Sequence, residues 1–115
     1  MSSAKKSQQF NFYEQVYQIV ALIPKRRVTT YGAIAKALGA AKSSRLVGTA
    51  LINAHYPNTN LPIHRVVNRN GLLTGKHHYD HPKHMQELLE KDGLIIENDQ
   101  VQDFKVVFWD PLQEL

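Results

Sequence analysis

Apolar residues Phe12, Val16, Ile19, Val20 and Ile23 recur at i, i+4, i+7, i+8 and i+11, one face of a helix that Pro24 ends. This spacing predicts a core helix. A second, shorter helix has Ile34, Ala35 and Leu38 as its apolar positions; Thr29 or Thr30 can cap its start, and Gly39 is placed to close it in a left-handed conformation. After the turn at 40–43, Ser44-Arg45-Leu46-Val47-Gly48-Thr49-Ala50-Leu51-Ile52-Asn53 predicts a third helix, capped by Ser43 or Ser44. Two short helices joined by a short turn containing glycine suggest a helix-turn-helix.

From Leu61 the period changes. Arg65, Val66, Val67 and Leu72, Leu73 flank Arg69-Asn70-Gly71, and Asn-Gly between apolar residues is a strong hairpin signal, so a small β wing is expected here. Pro82, Met85, Leu88 and Leu89 mark a fourth helix, with Glu87 and Lys91 spaced to pair and Gly93 as its stop. Ile95, Ile96 and the run 104–109 form either strands or a packed extended segment ending at Pro111. The expected class is mainly α (α+β), a helix-turn-helix in a winged-helix-like arrangement with a small β wing. Residues 1–9 are read as a polar leader and 10–115 as one domain.

With 115 residues, 43% of them hydrophobic and 21% charged, the chain is long enough for one core and near the soluble globular average. It contains no cysteine. That excludes disulfides, thiolate zinc sites, thiol redox chemistry and every cysteine nucleophile. No apolar run approaches the roughly 18 residues of a membrane span, and the polar start lacks an apolar signal core. A cytoplasmic monomer without a membrane partner is expected, nucleoid-associated if the cell is bacterial. Charge is unevenly spread: residues 1–76 carry +10 and residues 77–115 carry −6, for a net +4. A basic part followed by an acidic one fits either a nucleic-acid surface on the first part or a merely solvated face.

Small residues in the third helix, Gly48, Thr49 and Ala50, let something approach closely. They can press against a neighbouring helix or lie in the narrow minor groove of DNA. Arg45 at that helix's start is either a solvated or phosphate-binding side chain, or one inserted into a base stack. His77-His78-Tyr79-Asp80-His81-Pro82-Lys83-His84 could begin a metal site at His81 and His84, but adjacent His77 and His78 would point apart on an extended chain. A pH-sensitive rim beside a DNA site is the preferred reading. Neither a metal nor another cofactor is expected.

Val28-Thr29-Thr30-Tyr31-Gly32-Ala33-Ile34-Ala35, then Arg45-Leu46-Val47-Gly48-Thr49-Ala50-Leu51, then Leu61-Pro62-Ile63-His64-Arg65-Val66-Val67 and Gly71-Leu72-Leu73 resemble the C-terminal domain of O6-alkylguanine-DNA alkyltransferases. The resemblance runs over about residues 12–93. That family's signature is Pro-Cys-His-Arg-Val, its cysteine accepting the alkyl group; here the stretch is Pro62-Ile63-His64-Arg65-Val66. A lone domain with the cysteine replaced resembles the alkyltransferase-like proteins, which bind alkylated guanine in DNA without repairing it and are thought to pass it to nucleotide excision repair. Many of them carry tryptophan where this chain has Ile63.

The resemblance implies that Tyr31 crowds the phosphate beside the target and lines the nucleotide pocket, and that Arg45 fills the gap left by an everted base. A planar guanidinium suits the second role, because it can stack and donate hydrogen bonds to the orphaned partner base. Gly48, Thr49 and Asn53 complete the implied DNA face. Pro62, Ile63, His64, Arg65, Val66, Thr74 and Gly75 complete the implied lesion pocket with Tyr31, Ile63 standing where the thiol would be. An alkyl side chain can contact an alkyl adduct but cannot displace it. His64 and Asp92 match the histidine and glutamate that activate the cysteine; Asp92 is a methylene shorter and has no thiol to serve, so the pair is read as a relay remnant.

The expected function is therefore non-enzymatic: binding O6-alkylguanine in double-stranded DNA through the minor groove, flipping the base and flagging it for nucleotide excision repair. The rival is a winged-helix transcription regulator reading the major groove without lesion preference. The third helix offers Thr49 and Asn53 but few of the long polar readers such a helix usually presents.

Overall fold

A computed structural model describes the backbone of residues 2–54 and 60–115 and the side chains from residue 11 onward, outside the 55–59 segment. The first helix, α1 (Ser2–Val20), begins inside the stretch read as a leader. Val16, Ile19 and Val20 are buried on its inner face, and Ile23 joins them from the turn beyond its end. Thr30, not Thr29, caps the second helix: the Ala33 N–H donates to its Oγ1 at 3.0 Å. That helix, α2 (Tyr31–Ala37), ends with Gly39 at φ +72°. The Ala40 N–H donates to the Ala35 carbonyl and the Gly39 N–H to that of Lys36, a paired closure that glycine permits because it adopts positive φ without strain. The chain then turns into α3 (Ser44–Ala54), packed on α2 and α1 through Val47, Ala50 and Leu51.

The strands pair differently from the sequence expectation. Residues 68–71 do turn tightly: the Gly71 N–H donates to the Asn68 carbonyl, and Asn68 Oδ1 accepts from the backbone of Asn70 and Leu72. Yet β2 (Val66–Val67) pairs in parallel with β1 (Thr29–Thr30), in the register Thr29 to Val66 and Thr30 to Val67. The helix-turn-helix is the crossover that a parallel pair requires. Leu72 instead bridges Gln100. The regular hairpin lies later, between β3 (Ile96–Glu97) and β4 (Gln100–Val101), with Asn98 and Asp99 both at positive φ in its turn.

Successive strand residues point to opposite faces, and Val66 and Val67 accordingly enter two different cores. Val66 packs with α1, α2, α3, Ile63 and Trp109, whereas Val67 packs with Val28, Leu73, Leu94 and the inner face of α4 (His84–Lys91). Gly93 stops α4 at φ +99°, while Glu87 lies 3.4 Å from His81 instead of pairing with Lys91. The run 104–109 is a single helical turn, α5 (Phe104–Val107), followed by an extended segment. There the Trp109 N–H donates to the Val28 carbonyl at 2.7 Å. A last helical turn, α6 (Pro111–Glu114), packs near α2. No described helix is long and apolar enough to cross a membrane.

Candidate nucleic-acid interface

Helix α3 buries Val47, Ala50 and Leu51 and leaves Arg45, Thr49, Ile52 and Asn53 exposed at i, i+4, i+7 and i+8. These four form one outward stripe on a helix whose first turn carries a cation. A cavity of about 310 Å3 opens at its foot. It is framed by Arg45, Gly48 and Ile52 of α3, by Tyr31 at the start of α2, and by Ile63 and Val66 of the Pro-Ile-His-Arg-Val segment. Thr74 and Gly75, in the tight helical turn Thr74–His78, complete one rim. Seven residues implied from sequence thus meet around one space: Tyr31, Arg45, Gly48, Ile63, Val66, Thr74 and Gly75.

Ile63 is 6% exposed and Val66 1%, so the base of the cavity is apolar and continuous with the core. Gly75 has a steric reason to be glycine: a Cβ there would come within 3.2 Å of the Tyr31 hydroxyl. Burial raises the Tyr31 phenol, opposed by a hydrogen bond with the Thr74 side chain, so the ring enters the site uncharged. Gly48 differs, since a Cβ added there would meet nothing nearer than the Tyr31 ring at 3.9 Å, an ordinary contact. Close helix packing therefore does not account for Gly48, which faces the cavity beside the Tyr31 ring.

The rest of the implied set lies elsewhere. Thr49 and Asn53 sit on the exposed stripe, away from the cavity lining, and the Thr49 hydroxyl donates back to the Arg45 carbonyl at 3.1 Å. Pro62, His64 and Arg65 are neighbours of the lining but do not belong to it. His64 Nε2 lies 2.8 Å from Asp92 Oδ2; an ionised carboxylate only accepts, so Nε2 carries the proton. Arg65 grips the same carboxylate with both ends of its fork, at 2.7 and 3.0 Å, and donates to the Ile23 carbonyl at 2.8 Å. Burial raises the Asp92 carboxyl, but hydrogen bonds from Arg65 and His64 outweigh it and hold the group below the usual carboxylate range. Burial lowers His64, and the bond to Asp92 only partly opposes it.

His78 and Tyr79 of the histidine-rich segment and Met85 of α4 also line the cavity, outside the set that the resemblance implies. The histidine-rich segment does border the site. Among the described residues no three His, Asp or Glu side chains gather into a metal cluster; His81 and His84 stack ring on ring instead, with centroids 5.2 Å apart and 12° between planes.

Comparison with known proteins places this geometry. The family described as "6-O-methylguanine DNA methyltransferase, DNA binding domain" matches residues 11–94. Alkyltransferase-like protein 1 of Schizosaccharomyces pombe is 34% identical over 95 residues, covering 83% of this chain and 87% of that one. The chain belongs to the alkyltransferase-like family. The DNA base-flipping protein of Escherichia coli is 39% identical over 99 residues, 84% of this chain and 74% of its own. The crystal structure of S. pombe Atl1 in complex with damaged DNA containing O6-carboxymethylguanine superimposes with a TM-score of 0.76 at 30% identity, covering 86% of this chain and 94% of that one. In this alkyltransferase-like chain the signature segment carries Ile63 where the transferases have their acceptor, and no cysteine stands anywhere else.

Proposed function

We propose that this alkyltransferase-like chain binds O6-alkylguanine in duplex DNA, everts the base into the cavity between α3 and the Thr74–His78 turn, and holds the lesion without repairing it. One observation carries the reading: an apolar cavity with Ile63 in its wall opens beside the exposed stripe of α3, which carries Arg45 in its first turn. Arg45 fills the vacated stack, Tyr31 crowds the phosphate beside the target, and Thr49 and Asn53 contact the groove outside the cavity. Extrusion costs a few kcal/mol and is cheapest for a damaged base, which itself favours the lesion. The bound complex then serves as a signal for nucleotide excision repair. The major-groove regulator reading gains nothing, because the stripe includes Ile52 and adjoins a cavity no base-edge reader needs.

The test compares one duplex containing O6-methylguanine with the same duplex containing guanine. The protein is expected to prefer the first. Arg45→Ala should abolish the preference, and Arg45→Lys should keep general affinity yet lose most of the preference, because lysine keeps the charge without the stacking plane. Equal preference in all three proteins refutes the base-flipping role of Arg45, and equal binding of both duplexes by the unaltered protein refutes the lesion reading.

A further inference from the structure

Tyr79 lies between the pocket and the histidine-rich segment. It is half-buried, packed on one side against the inner cluster that contains Leu73 and Met85, and it lines the cavity on another. Its ring meets His84 edge-on, with centroids 5.4 Å apart and planes at 75°. His84, the first residue of α4, stacks in turn on His81, whose Nε2 lies 3.4 Å from Glu87 Oε1 one turn into the same helix. Residues 79–84 thus fold back on α4 as a line of three rings ending at the cavity. Edge-on and stacked contacts are the favoured arrangements of aromatic rings, and they fix ring direction more tightly than apolar packing alone.

We propose that Tyr79 is a specificity-determining residue of the cavity, its ring forming the wall against which the everted base is held, with His84 and His81 as the positioning residues that keep it there. This rests on the reading of the cavity as a lesion pocket. Tyr31 then bounds the base from the helix-turn-helix and Tyr79 from the α4 side, while Ile63 and Met85 supply the apolar surface that an O6-alkyl group needs. Burial, and after it the neighbouring Tyr31, push the Tyr79 phenol well above its ordinary value. The wall therefore stays uncharged beside DNA phosphates. Stacking on this ring is open only to a base that has left the duplex, and a damaged base leaves at least cost, so the wall favours the lesion while the apolar floor contacts its alkyl group.

The experiment measures affinity by fluorescence anisotropy for the O6-methylguanine duplex and its guanine counterpart. Tyr79→Phe should keep the ratio of the two affinities. Tyr79→Leu, which fills the core side without a ring, and Tyr79→Ala should each lower it about tenfold or more, the size of one base–aromatic stack. Both should weaken the O6-methylguanine duplex more than its guanine counterpart. His84→Ala should lower the ratio about threefold, with His84→Phe restoring it through its edge contact. If the unaltered protein discriminates and Tyr79→Leu discriminates as well, the wall is wrong and the lesion pocket stands. Equal weakening on both duplexes also overturns it, since Tyr79 is then a general DNA contact. If the unaltered protein does not discriminate, the pocket reading falls and the wall with it.

Discussion

Ile63 stands where the resembled enzymes place their acceptor, and its surroundings argue against transfer by a thiol placed there. Arg65 takes both oxygens of Asp92, and His64 is held below the ordinary histidine value, making it a poor base for a neighbouring thiol. Ile63→Cys is therefore expected to remain inactive or nearly so; mass spectrometry of the intact variant after incubation with O6-methylguanine DNA checks this, and a stoichiometric methyl adduct contradicts it. The same three residues set an acid sensitivity. His64 has a lowered folded value, so below about pH 6.5 the unfolded chain binds the proton first and stability falls with pH. Asp92 is also lowered, so its contribution is present above about pH 3.9 and is lost as pH drops further through the folded value. The midpoint of thermal unfolding should decline from about pH 6.5 downward, less steeply in His64→Gln; parallel curves would remove His64 from the account. Asp92→Asn leaves the nearly buried Arg65 without its counter-charge and should cost about 3 kcal/mol or more.

Two glycines separate packing from function among the secondary elements. Gly75 makes room for the Tyr31 hydroxyl, whereas Gly48 faces space that the protein does not fill. Gly48→Ala should therefore stabilise α3 by up to about 1 kcal/mol through helix propensity. It should also weaken DNA binding, because the added methyl projects into the cavity beside Tyr31. Chemical denaturation and duplex titration of the same variant check both halves, and tighter or unchanged DNA binding would show that nothing approaches Gly48. The helices were legible because their apolar spacing and caps are local: Val16, Ile19 and Val20, the Thr30 cap and the Gly39 and Gly93 stops all lie within a turn or two of what they control. The strands were not. Val66 and Val67 have a good hairpin turn after them but pair with Thr29 and Thr30, whose position depends on the intervening crossover. Asn98 and Asp99 were the turn signal for the real hairpin, since both residue types tolerate the left-handed region.

The charge division over the whole molecule sets a further expectation. If residues 1–76 provide the DNA face, affinity should fall with salt at a log-log slope near −0.9 per phosphate neutralised. Replacing Lys83, Lys91 or Lys105 in the acidic part by Gln should leave that slope unchanged; a titration series in potassium chloride checks it, and a flat response of the unaltered protein removes the electrostatic interface. The sequence by itself determined the absence of thiol chemistry, the helix-turn-helix and the residues carrying the family signature, because composition, helical period and motif order need no distant partner. Only the tertiary structure decided which of those residues share a cavity. It set Tyr31, Arg45, Ile63 and Gly75 around one space, turned His64 and Arg65 away to Asp92, and brought Tyr79 and Met85 in from the histidine-rich side. Those placements depend on contacts between segments tens of residues apart, where burial and the pairing of charge, rather than local propensity, select the partner.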